Sequence, residues 1–184
     1  MTKGKYLCVY CGASERVDPF YYQSAEELGK LIATNGFNMV YGGGRLGLMG
    51  RVSNAVVENG GLVMGVTTEQ LDEREGVQSG LHEIYVVDTM HTRKLQMSQK
   101  ADAFIIMPGG FGTLDEFFEI LTWKQLNLHH KPIIIANLNN FWDPLVSLFH
   151  HIIDSDFARK EHAQFLHVEN SLENVIKTAK RLLK

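Results

Sequence analysis

Ala103–Ile120 reads AFIIMPGGFGTLDEFFEI. Phe104 to Met107 are apolar at consecutive positions, where a strand with one wet face would alternate. Both faces of this strand must therefore be covered, as in a parallel sheet held between two helix layers. Pro108, Gly109, Gly110 and Gly112 end the run, and an acidic stretch with helical spacing follows. Pro132–Ile135 (PIII) repeats the consecutive apolar pattern.

Outward from this unit the same order recurs. KYLCVYCG leads to a helix expected over about 19–35, with Gly36 as its stop. FNMVYGGG leads to a helix ending near Asn59, and GLVMGVT to a polar stretch, Thr68–Gly80, read as a mobile loop. HEIYVVD precedes a helix from near Met90, and AFIIMPGG a helix from about Leu114 to Leu126. PIIIANL precedes Trp142–Asp154, and a last short strand near FLHVEN precedes LENVIKTAKRLL. Repeated β-α units with right-handed crossovers predict a Rossmann-like, doubly wound α/β fold: one parallel sheet flanked by helices on both faces. No repeat, low-complexity tract or linker interrupts it, so residues 1–184 are expected to form one domain. Ligands in such folds sit beyond the carboxyl ends of the strands, where this sequence keeps its glycines.

A net charge of −3 argues against a nucleic-acid partner that needs many phosphates neutralised. The N-terminal apolar run is short for a secretion signal, and no window approaches the roughly 18 apolar residues of a membrane span. A cytoplasmic protein with no membrane partner is expected. Cys8 and Cys11 form a lone C-x-x-C within a strand, so buried inert thiols are expected rather than a zinc or redox site. His129–His130 and His150–His151 lack the i, i+4 spacing of helical zinc ligands, and no metal or other cofactor is expected.

Two glycine junctions carry the functional signal. YGGGRLGLMG, Tyr41–Gly50, contains G-x-G-x-x-G at Gly42, Gly44 and Gly47, but lacks the acidic residue about 20 positions on that a dinucleotide site needs. In PGGFGT, Gly109, Gly110 and Gly112 free successive N–H groups and Thr113 adds a hydroxyl, which suits a monophosphate at a helix N-terminus. Glu116 has two readings. With Thr113 it spells a capping box, T-x-x-E, or it carries the chemistry. In DTMHTRKLQM, Asp88–Met97, Arg93 and Lys94 fall in the first turn of a helix, where a cation opposes the dipole by about 0.3–1 kcal/mol. An anionic ligand would reverse that cost.

Together these stretches resemble the Lonely Guy (LOG) family, the cytokinin riboside 5′-monophosphate phosphoribohydrolases. The P-G-G-x-G-T-x-x-E hallmark is matched from Pro108 to Glu116, and M-H-x-R-K from Met90 to Lys94. CVYCGAS, YGGGRLGLMG and Leu121–Leu145 are also similar, with Ala13 and Asn127 as departures, and the resemblance fades beyond residue 155. It implies hydrolysis of the N-glycosidic bond of adenosine monophosphate, or of an isoprenoid-modified relative, to free base and ribose 5-phosphate without a cofactor. Arg93 and Glu116 would be catalytic. Ser14, Gly43, Gly44, Met90, Lys94, Gly109, Gly110, Gly112 and Thr113 would contact the nucleotide, and a homodimer would complete the base pocket. Many relatives carry a lysine decarboxylase label, but nothing here outlines a pyridoxal phosphate site with a Schiff-base lysine. A nucleotide-binding regulator and a dinucleotide-dependent enzyme remain the alternatives.

Overall fold

In the computed structural model, residues 4–184 are described. Residues 1–3, part of the stretch read for a secretion signal, lie outside them. Seven strands, β1 (Tyr6–Tyr10), β2 (Asn38–Tyr41), β3 (Val63–Thr68), β4 (Glu83–Val87), β5 (Ala103–Ile106), β6 (Ile133–Ala136) and β7 (Leu166–Glu169), form one sheet in the order β4-β3-β2-β1-β5-β6-β7. Every pairing is parallel. The chain winds outward from β1 to β4, then returns to place β5 against β1. That reversal opens a crevice between the carboxyl ends of β1 and β5.

Side-chain alternation along buried strands explains the consecutive apolar runs. Leu7 and Val9 point into one core layer and Cys8 and Tyr10 into the other. The first layer packs under α1 (Pro19–Thr34), α2 (Gly47–Glu58) and α7 (Leu172–Leu182), through residues such as Leu28, Val52 and Val175. The second packs under α4 (Met90–Lys100), α5 (Phe111–Gln125) and α6 (Asp143–Asp154), through Met97, Phe117 and Leu145. Cys8 and Cys11 are free, buried thiols, and burial pushes both well above the ordinary thiol range, as inert cysteines require. Among the described residues no helix is long and apolar enough to cross a membrane.

Helix ends follow local chemistry. Asp18 caps α1 by accepting from Phe20 N at 2.8 Å, Pro19 begins it, and Gly36 leaves it at φ +77°. Asn127, beyond the end of α5, takes the left-handed conformation at φ +58°, so a glycine is dispensable there.

Two expectations need correction. The stretch expected as a loop after β3 contains α3 (Glu69–Glu75), capped by Thr68, which accepts from Leu71 N at 3.3 Å, and ended by Gly76. Val77 then bridges Gly44, and Gln78 N donates to Gly43 O at 3.0 Å. Helix α5 starts at Phe111, not near Leu114, with Gly110 as an N-cap that offers no side-chain bond. Thr113 therefore sits inside the first turn and cannot cap the helix. The capping-box reading of Glu116 falls.

Candidate active site

The crevice between β1 and β5 is a cleft of about 540 Å³. Gly12 N, just beyond β1, donates to Pro108 O, just beyond β5, at 3.1 Å. Only a glycine fits at 109, because a Cβ there would lie 2.1 Å from Thr113 Oγ1 and 3.0 Å from Gly12 N. The floor is thus backbone against backbone, and the first turn of α5 opens directly onto it. Its leading N–H groups have no acceptor within the helix, and Gly109, Gly110, Gly112 and Thr113 line the cleft beside them.

The buried stripe of α5 is Thr113, Phe117 and Ile120, spaced i, i+4, i+7. Glu116 lies beside that stripe, lines the cleft, and has a side chain only 13% exposed. Arg93 approaches from α4, where Thr89 caps the helix by accepting from Thr92 N at 3.1 Å. All three of its guanidinium nitrogens donate: Nη1 to Glu116 Oε1 at 3.0 Å, Nε to Val66 O at 3.0 Å and Nη2 to Gly42 O at 3.2 Å. A Cβ on Gly42 would lie 1.8 Å from Nη2, so Gly42 is the seat of the arginine. In the sequence Gly42 figures only in a G-x-G-x-x-G spacing that lacks the acid of a dinucleotide site, and this role is not visible there. No local signal links it to a residue 51 positions away.

The cation that opposes the α4 dipole is therefore answered by a carboxylate from α5 and two carbonyls, before any ligand arrives. Burial pushes the Glu116 carboxyl above the ordinary glutamate range, and Arg93 opposes that push. The result is a largely buried carboxyl group held by one guanidinium at the edge of an open cleft. Such a group can stabilise positive charge developing on a ligand and orient a water against it.

Of the remaining expected contacts, Ser14 and Met90 line the cleft, while Gly43, Gly44 and Lys94 do not. Gly43 and Gly44 hold residues 77–78 through the backbone. The Lys94 ammonium is held by Asp115 at 3.0 Å and Glu119 at 3.2 Å. The first-turn N–H of Leu48 in α2 donates to Gly12 O at 2.9 Å, so the G-x-G-x-x-G junction spends a helix-start donor on the protein itself. Leu71, Tyr21, Phe141 and Asp115 also line the cleft. Residues scattered like Leu71, Tyr21 and Phe141 leave no motif, and only the fold assembles them. Among the described residues no group of three or more His, Cys, Asp or Glu side chains could hold a metal ion.

Residues 49–179 match the family model described as "Possible lysine decarboxylase". The chain is 45% identical over 148 residues to the cytokinin riboside 5′-monophosphate phosphoribohydrolase of Rhodococcoides fascians, covering 80% of this chain and 75% of that protein. It is 42% identical over 155 residues to the cytokinin riboside 5′-monophosphate phosphoribohydrolase LOG of Oryza sativa subsp. japonica, covering 84% of this chain. The chain belongs to the LOG family. The match spans 64% of the length of the rice LOG protein.

The decarboxylase wording fits the LOG family site poorly. A Schiff base needs a free amine. Burial works to lower the Lys94 ammonium, but its bonds to Asp115 and Glu119 prevail and hold it above the ordinary lysine value. Among solved structures, the molybdenum cofactor binding protein of Rippkaea orientalis superposes along the full length of both chains with a TM-score of 0.75 at 24% identity. The molybdenum cofactor carrier protein of Chlamydomonas reinhardtii does so over 98% of this chain, with a TM-score of 0.75 at 22% identity. These likenesses concern the fold alone.

Proposed function

We propose that this chain hydrolyses the N-glycosidic bond of adenosine monophosphate, or of a cytokinin riboside 5′-monophosphate, releasing the free base and ribose 5-phosphate. The observation that carries the reading is the Arg93–Glu116 pair, buried yet open to the cleft beside the bare N-terminus of α5. The 5′-phosphate sits on the N–H groups of that helix start, within the loop formed by Gly109, Gly110, Gly112 and Thr113. Cleavage of the C1′–N9 bond leaves positive charge on the ribose, which the Glu116 carboxylate stabilises. Water adds its hydroxyl to C1′, and its proton departs with the base. Arg93 aims Glu116, while Ser14 and Met90 contact the nucleotide. The names carried by the Rhodococcoides and rice relatives support the same chemistry.

A second copy of the chain is part of this reading. Phe111, 91% exposed, lines with the exposed Phe118, Phe141 and Leu148 an apolar groove of about 420 Å³ that shares Gly109, Gly110 and Phe141 with the cleft. A homodimer packed on that face would complete the base pocket, and sedimentation analysis would show it as a two-chain species. The buried free thiols of Cys8 and Cys11 suit a cytoplasmic setting.

The test of function is a nucleotide panel with free base as the readout. Adenosine monophosphate should release adenine, with a specificity constant far above that for adenosine. Equal constants for the two would remove the phosphate from the account.

A further inference from the structure

Helix α4 presents two successive cations to three carboxylates of α5. Arg93 meets Glu116, and Lys94 meets Asp115 and Glu119, the residues at −1 and +3 from Glu116 on the same helix. Lys94 is 7% exposed, and its ammonium stands 3.0 Å from Asp115 Oδ2 and 3.2 Å from Glu119 Oε1. It does not line the cleft, although Asp115 does.

We propose that Lys94, Asp115 and Glu119 form an ionic brace that sets the position and charge state of Glu116, making Lys94 a positioning residue rather than a phosphate ligand. The proposal rests on the hydrolase reading above. Asp115 and Glu119 lie four residues apart on one helix face, where like charges repel. Lys94 cancels that repulsion and joins α4 to α5 one residue away from the catalytic pair. Both Asp115 oxygens, at 3.0 and 3.3 Å, and Glu119 Oε1, at 3.2 Å, surround the ammonium, so little of its charge is left for a ligand's phosphate.

The charges around Glu116 support the same view. Burial contributes most to raising its pKa; Arg93 and Lys94 work against that, while Asp115 adds to it. On the other side β1 supplies Cys8 and Tyr10, with Cys11 just beyond it, each interacting with Glu116. Burial raises all three well above their ordinary values, so they stay neutral over the working range and add no charge. Beyond burial, the ionisation of Glu116 is therefore set by Arg93 and Lys94 of α4 against Asp115 of α5. Removing Lys94 leaves Asp115 uncompensated next to Glu116.

The decisive experiment follows Glu116 by carbon-13 titration in the ligand-free protein, alongside kcat and KM for adenosine monophosphate. Lys94→Met should move the Glu116 titration, and the acid limb of kcat, to higher pH. KM should stay within about two-fold, because uniform binding is untouched. Lys94→Arg should restore the limb, and Asp115→Asn, at an exposed side chain, should move it to lower pH. An unmoved Glu116 titration in Lys94→Met overturns the brace, as does a KM raised about ten-fold or more over an unmoved acid limb. If Lys94→Met does not fold, an unmoved titration in Asp115→Asn overturns it instead. The titration needs no turnover, so a failed brace is distinguishable from a wild-type protein that releases no base.

Discussion

Arg93 and Glu116 meet at 3.0 Å from neighbouring helices, with side chains 7% and 13% exposed. The arginine also holds the backbone of β3 at Val66 and the loop after β2 at Gly42. One side chain thus fastens four segments at the point where the cleft keeps its acid.

Arg93→Ala should therefore destabilise the ligand-free protein. A helix-dipole argument alone would predict a gain, but the burial of this ion pair reverses the sign. Removing one partner of a buried pair typically costs about 3–5 kcal/mol, because the other charge is left unpaired. Chemical denaturation should show a loss of that order at neutral pH. The deficit should narrow in acid, where a protonated Glu116 no longer needs the guanidinium. A variant as stable as the wild type would remove Arg93 from its structural role.

The raised pKa of Glu116 gives a pH dependence with a definite sign. In the proposed hydrolase the carboxylate is the working form, so the acid limb of the rate should lie above the ordinary glutamate value of 4.5. Linkage runs the other way for stability. The folded protein binds this proton more readily than the unfolded chain, so the contribution is present below 4.5 and is lost as pH rises through the folded value. A rate profile whose acid limb sits at or below 4.5 would contradict the burial of this group.

Gly42→Ala places a methyl group where Arg93 Nη2 now lies. The guanidinium must move, and Glu116 loses its alignment. Misplacement of a catalytic group by about 1 Å can cost about 10²-fold in rate. The expected outcome is a folded protein with kcat reduced on that scale and KM for adenosine monophosphate little changed. Near-normal kcat would show that Arg93 tolerates another position.

Much of the architecture was legible because buried parallel strands are apolar at every position, as in Phe104–Met107, and because Pro19 and Gly36 mark the ends of α1 by their backbone preferences. The start of α5 was not. Its N-cap is Gly110, which leaves no side-chain signature, so Thr113 and Glu116 imitated a cap one turn too late. Helix α3 was hidden for a related reason. Its residues are nearly all charged or polar, and Leu71, the apolar exception, serves the cleft. Arg93 and Glu116 could be picked out singly by their motifs. Their direct contact, and the diversion of Lys94 to Asp115 and Glu119, depend on how α4 lies against α5, which no spacing along the chain encodes.

Glu116→Gln removes the charge at the edge of the cleft and keeps the shape. Glutamine keeps an oxygen that can accept from Arg93 but cannot carry negative charge against a ribosyl cation. Loss of such a group typically costs about 10²–10⁴ in rate. The folded Glu116→Gln protein should bind adenosine monophosphate with near wild-type affinity while adenine release falls within that range. Adenine release at close to the wild-type rate from the folded variant would contradict it.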